Sequence, residues 1–267
     1  MKRTEQIDPG LSVLAIAVGG KGSRMGQHFS KIGFSGPKVL FPVQGKPLLG
    51  WYLDHAEQSG FTRIVLLLNH FESDIREFLK TRHRSDMQIE CITSDDQAQR
   101  TVPGLLSLFV KQYTGPIAYM DGNLFFDPSL FDVVKKVLLP NETQARVFVS
   151  RADIAPTHAQ FIASGSKVVD IISRPHKHES SRRDERAIDQ AIFCSMGIFV
   201  IRPELLLRVS RSGPQGDLDQ VIEYVFDSSH EQNPTCIDYQ EYVGPWAALH
   251  TSADIDRMLR IAYNAEI

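Results

Sequence analysis

The chain has 267 residues, of which 42% are hydrophobic and 23% charged, and its formal net charge is −3. This composition excludes a disordered, collagen-like or coiled-coil chain, and the length suffices for a large core without cross-links. The charge provides no overall basic field, so we expect no nucleic acid as a partner.

The cysteines and the apolar runs bear on the compartment of the protein. Cys91, Cys194 and Cys236 are far apart and form no CxxC pair, which argues against a disulfide framework and against a zinc site. The apolar runs are too short to span a bilayer, and the first of them ends in glycines rather than in a signal-peptide cleavage site. We therefore expect a cytoplasmic protein with no membrane partner, and the sequence leaves open whether it forms a homo-oligomer.

The first half of the chain alternates between strand and helix patterns. After a polar lead-in at residues 1–10, residues 11–18 form an apolar strand that ends at glycines, and residues 19–37 hold six glycines in a predicted long loop. Further strands are predicted at 63–69, 87–92 and 116–120, and helices at 46–59, 73–82, 104–113 and 128–139. This alternation indicates βαβ units, that is, parallel strands with helices on both faces of the sheet.

The pattern changes after residue 145. Strands are predicted at 146–151, 160–163, 167–172 and 191–201 with few helices between them, and helices at 204–209, 218–226 and 252–263. No low-complexity linker separates the two halves. We therefore expect an α/β fold in a single domain over residues 1–267, with three α/β/α layers, a mainly parallel central sheet and a mixed or antiparallel C-terminal extension.

The glycine-rich segment at residues 17–24, AVGGKGSR, is the first candidate site. Its glycines allow the backbone to approach a ligand closely, and a concave row of backbone N–H groups binds phosphate. The spacing is not that of a P-loop. It also differs from the Rossmann dinucleotide fingerprint. That fingerprint has a third glycine, where this chain has Met25, and it also has an acidic residue about 20 positions later, which this chain lacks. A plain glycine-rich turn remains the alternative at this point.

A second motif lies at residues 36–49, where GPKVLFPV is followed by GKPLL. Together the two motifs resemble the signature of the sugar-phosphate nucleotidyltransferase family, which is a strand, Gly-Gly-x-Gly-Thr-Arg, Pro-Lys and then Pro-Val-x-x-Lys-Pro-Leu. Ser23 replaces the usual threonine. Further similar segments are QRTVPGL at 99–105, IAYMDGNLF at 117–125, ISRP at 172–175, MGIFV at 196–200 and WAALHT at 246–251.

The resemblance implies a Rossmann-like fold and a Mg²⁺-dependent transfer of a nucleoside monophosphate from a nucleoside triphosphate to a sugar 1-phosphate. It implies that Arg24 and Lys38 are catalytic, with Arg24 at the β- and γ-phosphates and Lys38 at the α-phosphate. It also implies that Asp121 binds Mg²⁺, a hard ion that prefers oxygen ligands. The residues implied at the sugar phosphate are Gly122, Arg174 and Gly197, and those at the nucleotide are Val18, Gly19, Gly20, Gly22, Ser23, Arg24, Lys38, Gln99 and Thr101.

The chain departs from the family pattern at positions that bear on activity. Arg100 stands where the family has a glycine near the base, and Ala248 stands where many relatives have a second metal-binding aspartate. His250 is a candidate replacement for that ligand, but packing at a helix start is the simpler interpretation, and residues 251–254 fit a capping box.

Two other hypotheses on the function stay open. One is a glycosyltransferase of related fold, since the DGN at residues 121–123 loosely resembles Asp-x-Asp. The other is a non-catalytic nucleotide-sugar sensor, which the alanine at position 248 suggests.

Overall fold

The computed structural model of the protein describes residues 11–20, 25–82, 86–151, 159–172, 190–209, 218–228 and 236–264. Its strands are β1 (Val13–Ala17), β2 (Pro42–Val43), β3 (Lys46–Pro47), β4 (Arg63–Leu67), β5 (Gln88–Ile92), β6 (Ile117–Asp121), β7 (Leu124–Phe126), β8 (Thr143–Ser150), β9 (Gln160–Ser164), β10 (Lys167–Ile172), β11 (Ala191–Ile201), β12 (Cys236–Glu241) and β13 (Trp246–Ala248). Its helices are α1 (Gly26–Lys31), α2 (Leu48–Gln58), α3 (Glu72–Thr81), α4 (Val102–Val110), α5 (Ser129–Lys135), α6 (Pro203–Val209), α7 (Leu218–Ser228) and α8 (Ser252–Asn264).

The first half of the chain forms the parallel part of the sheet. Its strands lie in the order β5-β4-β1-β6, and every neighbouring pair is parallel. Helices α2, α3 and α4 connect these strands, because parallel neighbours need a long crossover connection. The strands are apolar on both faces: Leu14 and Ile16 of β1 face one core, and Val13 and Ala15 face the other.

Helices cover both faces of the sheet. Helices α2, α5 and α8 pack against one core, and α4, α6 and α7 pack against the other. This arrangement confirms the predicted three α/β/α layers. None of the described helices is long and apolar enough to cross a membrane.

The second half extends the same sheet with mixed strand directions, as predicted. Within the described residues the sheet has nine strands in the order β5-β4-β1-β6-β11-β8-β12-β10-β9. Strand β11 lies antiparallel between β6 and β8, whereas β12 is parallel to β8. The sequence analysis predicted no strand at the position of β12. Of its residues only Ile237 is fully buried, so its apolar pattern is too weak to identify from the sequence.

The predicted long loop at residues 19–37 was wrong in one respect, because it contains the short helix α1. Phe29 of this helix packs against two aromatic rings, with ring centroids 5.0 Å from Phe34 and 5.4 Å from Phe41. The glycine content favours a loop, but this aromatic cluster anchors the segment against the rest of the protein.

The residue after β6 packs directly against the end of β1. The N–H of Gly122 donates to the carbonyl oxygen of Ala17 over 2.9 Å. A Cβ atom on Gly122 would collide with that oxygen and would lie 2.9 Å from a methyl group of Val39. Only glycine therefore permits this approach of the two strand ends.

We expect Gly122→Ala to lower the free energy of unfolding by about 1–3 kcal/mol, the usual cost of overpacking a site without free space. Urea unfolding measures this change. Gly26→Ala is the matched control, because nothing lies within 4 Å of the added Cβ atom and Gly26 opens α1. Equal unfolding midpoints for the two variants would show that the strand ends can separate without cost.

Candidate functional site

A cavity of about 460 Å³ opens at the carboxyl ends of the parallel strands. In open α/β sheets this edge is where ligands bind. Its wall includes the residues after β1, Asn69 after β4, Asp121 at the end of β6 and Gly197 in β11. The cavity therefore runs across several strand ends rather than between two helices.

The turn after β1 forms one part of the wall. Val18, Gly19 and Gly20 all line the cavity, as the sequence analysis expected of nucleotide-binding residues. Gly19 is packed against the chain after β4, because a Cβ atom here would overlap the main-chain nitrogen of Asn69. The carbonyl of Gly19 also accepts from the N–H of His70 over 3.2 Å. The other expected residues of this segment, Gly22, Ser23 and Arg24, lie outside the described residues.

Lys38 places a positive charge on the same wall. It begins a 3₁₀ helix, Lys38–Leu40, directly after Pro37. Its Nζ donates to the main-chain oxygen of Leu249 over 2.6 Å, a bond between residues 211 positions apart. This bond orients a long, flexible side chain that would otherwise sample many rotamers.

Asp121 places a carboxylate on the wall. Its Oδ1 accepts from the hydroxyl of the buried Tyr119 over 2.5 Å. Its Oδ2 faces Gly197, where an added Cβ atom would lie only 2.5 Å away. Gly197 has a φ of +70° and lies in a register shift of β11 between Ser195 and Ile198. This bulge makes room for the carboxylate, as bulges beside functional sites commonly do.

The chain near the C-terminal helix completes the wall. Strand β13 pairs with β7, and the N–H of Leu249 donates to the carbonyl of Asn123 over 2.7 Å. This pairing brings Ala248 and His250 to the cavity. One half of the predicted capping box is present, since a carboxylate oxygen of Asp254 accepts from the N–H of Thr251 over 2.6 Å. In place of the other half, the hydroxyl of Thr251 donates to the same carboxylate oxygen over 3.0 Å.

Two further expected nucleotide-binding residues have other contacts. Gln99 accepts from the hydroxyl of Ser94 over 3.3 Å, and Thr101 is the N-cap of α4, where its hydroxyl accepts from the N–H of Gly104 over 3.2 Å. Among the described residues, the cavity wall includes neither of them, although it includes their neighbour Arg100. Arg174, expected at the sugar phosphate, lies outside the described residues.

Several residues on the wall were not predicted from the sequence, among them Asn69, Ser195 and Asp219. Asn69 could have been found, because it is the last residue of a predicted strand at the binding edge of the sheet. Asp219 lies in the first turn of α7, as expected of a helix start, but its place on the wall depends on how α7 packs. Ser195 carries no local signal of a binding role.

Burial controls the protonation of two groups beside the site. It raises the pKa of Tyr52 well above the usual value, and the negative charge of Asp121 adds to this shift, while the bond to Leu124 opposes it. Tyr52 therefore remains neutral and donates to the carbonyl of Leu124 in β7. Burial also raises the pKa of Cys194 to about 11. A thiol with this pKa stays protonated at neutral pH and is a poor nucleophile.

The side chains that could act as metal ligands limit the kind of metal site that the cavity can form. Among the described residues there is no group of three or more His, Cys, Asp or Glu side chains placed to hold a metal ion. A single carboxylate on a cavity wall still suits Mg²⁺, which commonly binds one or two carboxylates together with phosphate oxygens and water. Asp121 fits such a site because it lines the cavity, where its carboxylate can share a metal ion with phosphate oxygens of a bound substrate.

We expect Gly197→Ala to destabilise the fold more than Gly165→Ala does. Both glycines have positive φ, +70° and +59°, so both variants carry a backbone cost of about 1–2 kcal/mol. Gly165 has nothing within 4 Å of an added Cβ atom, whereas Gly197 adds the collision with the carboxylate, about 1–3 kcal/mol more. Urea unfolding of the pair measures the difference. Equal losses of unfolding free energy in the two variants would mean that the Asp121 side chain moves aside without cost.

Comparisons with known proteins show which folds and sequences this chain resembles. The chain is 18% identical to the inositol-1-phosphate CTP transferase from T. maritima, with a TM-score of 0.70 and 96% of each chain covered. It is 25% identical over 211 residues to the bifunctional protein GlmU of Acinetobacter baylyi, a match that covers 77% of this chain and 42% of GlmU.

A third relative is the CMP-5'-(3-aminopropyl)phosphonate synthase of Streptomyces rubellomurinus, which is 25% identical over 117 residues. That match covers 44% of this chain and 18% of the relative. The chain thus spans less than half of the length of these two curated relatives.

The family model of the MobA-like NTP transferase domain matches residues 14–169, which is more than half of the chain. The matched region contains the turn after β1, Lys38 and Asp121. The resemblance to nucleotidyltransferases that the sequence motifs indicate is therefore confirmed, and the chain belongs to the MobA-like NTP transferase family.

Proposed function

We propose that this protein transfers a nucleoside monophosphate from a nucleoside triphosphate to a sugar 1-phosphate or a sugar-like polyol phosphate, releasing pyrophosphate. The observation that carries the proposal is that the backbone turn at Gly19 and Gly20, the ammonium of Lys38 and the carboxylate of Asp121 line one cavity. Such a set suits a substrate with several phosphates, because backbone N–H groups and a cation offset their negative charge.

The order of the strands supports a layout for the two substrates. Across the binding edge, Asn69 and Gly19 come after β4 and β1, Asp121 ends β6, and Gly197 lies within β11. Neighbouring strands lie about 4.8 Å apart, so this edge is about 14 Å long. That length accommodates a nucleotide whose phosphates lie over the centre and an acceptor at the β11 end, beside Gly122 and Gly197.

The reaction needs little covalent help from the protein. An oxygen of the acceptor phosphate forms a bond to the α-phosphorus, the bond from that phosphorus to the oxygen bridging to the β-phosphate breaks, and the electron pair leaves with pyrophosphate. Catalysis of this kind rests on positioning and on offsetting charge. The Nζ of Lys38 would offset charge developing at the α-phosphate, Arg24 would bind the β- and γ-phosphates, and Arg174 would bind the acceptor phosphate.

Asp121 would hold Mg²⁺, which supplies further positive charge to the phosphates when bound. The carboxylate is held for this task from two sides, by the hydroxyl of Tyr119 and by the bulge at Gly197. Because Ala248 adds no second carboxylate, the triphosphate and water would supply the remaining ligands. The name of the relative from T. maritima, an inositol-1-phosphate CTP transferase, supports including polyol phosphates among the acceptors.

The proposal is tested by assaying pyrophosphate release from GTP, CTP, UTP, ATP and dTTP with a panel of sugar 1-phosphates and inositol phosphates. Pyrophosphate and a nucleotide-linked product from at least one pair are the expected result. Tight binding of a nucleotide sugar without turnover of any pair would favour the non-catalytic sensor. Release of a nucleoside diphosphate from a nucleotide sugar would favour the glycosyltransferase.

We expect Lys38→Ala to lower the turnover number by about 10²-fold or more, the usual effect of losing one preorganised electrostatic contact at the reacting centre. Arg24→Ala is expected to have a similar effect. Steady-state pyrophosphate release measures both. Lys31→Ala removes a lysine from an exposed position at the end of α1 and is the control. Turnover of Lys38→Ala at the rate of the native protein would exclude this lysine from the mechanism.

We expect Asp121→Asn to raise the Mg²⁺ concentration for half-maximal rate and Ala248→Asp to lower it, because each changes the number of carboxylates beside the phosphates. The measurement is the rate as a function of Mg²⁺ concentration. Asp127→Asn is the control, since Asp127 accepts from the N–H and hydroxyl of Ser129 at the start of α5. If Asp121→Asn keeps the native Mg²⁺ curve, another group binds the metal.

A further inference from the structure

Arg100 occupies the end of the cavity farthest from the acceptor. It follows the 3₁₀ helix Gln97–Gln99 after β5 and precedes α4, and it lines the cavity. Strand β5 is at the edge of the sheet, whereas β11 lies four strands away. The carbonyl of Arg100 bonds to Asn69 after β4, three strands from β11, so about 14 Å separate this end of the cavity from Gly197.

The guanidinium of Arg100 is held in place from within the protein. Its Nε donates to the carbonyl of Ser94 over 2.6 Å. Its own carbonyl accepts from Nδ2 of Asn69 over 2.7 Å, and its N–H donates to the carbonyl of Gln97 over 3.2 Å. These three bonds fix the main chain of Arg100 and the Nε atom of its side chain. The planar guanidinium group therefore loses little conformational freedom when it binds a ligand.

The two terminal nitrogens of Arg100 remain available. In the part of the chain that the structure describes, neither of them has a hydrogen bond or an ion pair. Arg100 is half-buried, and the apolar side chains of Val102 and Leu105 line the cavity beside it. A partly apolar lining next to a pair of fixed donors suits a heterocyclic base better than it suits a phosphate.

We propose that Arg100 selects the base of the nucleotide and favours a base with two adjacent hydrogen-bond acceptors on one edge. The inference rests on the proposed function, which places the phosphates over Gly19 and Gly20 and so leaves the base at the β5 end. An arginine whose Nε is already bonded presents two parallel donors through its terminal nitrogens, and this pair is satisfied only by two neighbouring acceptors.

The bases divide clearly by this criterion. Guanine offers O6 and N7 on one edge, and cytosine offers O2 and N3. Uracil and thymine have an N–H donor between their two carbonyl oxygens, and adenine places its amino donor beside each of the acceptors N1 and N7. The structure therefore assigns GTP or CTP as the nucleotide, and it disfavours UTP, dTTP and ATP.

The test is equilibrium binding of GTP, CTP, UTP, ATP and dTTP to the native protein, by calorimetry in the presence of Mg²⁺ and without an acceptor. We expect GTP or CTP to bind about 10- to 100-fold more tightly than the other three, which is the discrimination that one bidentate contact to a base edge supplies. Omitting the acceptor separates recognition of the base from the transfer reaction.

Arg100→Lys keeps the positive charge and removes the paired donors. We expect the affinity for GTP or CTP to fall to within about threefold of the affinity for UTP, dTTP and ATP, while the affinity for these three stays unchanged. Arg76→Lys is the control, because Arg76 forms an exposed ion pair with Glu72 on α3 and should leave the preference unchanged. Urea unfolding checks that the variants remain folded.

Each outcome separates the inference from the proposed function. Equal binding of all five nucleotides, or a preference for UTP, dTTP or ATP, would overturn the role of Arg100 but leave nucleotidyl transfer intact. A preference for GTP or CTP that survives in Arg100→Lys would also overturn it. Binding of none of the five would contradict both proposals, whereas base preference without pyrophosphate release would support Arg100 and contradict the transfer reaction.

Discussion

The site depends on close main-chain contacts between strand ends, and glycines make these contacts sterically allowed. Gly19 packs on the chain after β4, Gly122 packs on the last residue of β1, and Gly197 makes room for the carboxylate of Asp121. A side chain at Gly19 or Gly122 would push neighbouring strand ends apart, and one at Gly197 would displace the carboxylate of Asp121. Because protein interiors are packed densely, such a shift would be transmitted to the rest of the cavity wall.

The chain beyond the region matched by the family model also contributes to this wall. Strand β13 pairs with β7, next to the end of β6, and the carbonyl of Leu249 accepts from Lys38. Ala248 and His250 reach the cavity by the same pairing. The N-terminal motif region therefore supplies the turn, the lysine and the carboxylate, while the C-terminal segment orients the lysine and closes one side.

Charge is distributed unevenly along the cavity. At the end near β6, the described wall offers the carboxylate of Asp121 beside the small apolar Ala248, so a metal there would depend on substrate phosphates for most of its ligands. At the opposite end, Arg100 brings a guanidinium to a position near Asn69. The two departures from the family pattern, Arg100 and Ala248, both line the cavity, and the proposals above connect them with different steps, base recognition and metal binding.

The sequence by itself determined the elements whose signal is local. The strand that ends at Gly19 and Gly20, Lys38 after its proline, and Asp121 at the end of an apolar strand all lie on the wall, because strand ends in βαβ units meet at one edge. The alternation of strands and helices likewise predicted the layers.

Only the tertiary structure decided which distant segments meet. The place of β11 between β6 and β8, the direction of β12 and the bond from Lys38 to Leu249 join residues far apart in the chain. Sequence patterns report the faces of single elements, and they carry no information on which of many compatible pairings buries the most apolar surface. That choice depends on packing of the whole chain, which is why Ser195 and Asp219 are identified on the cavity wall only in the folded protein.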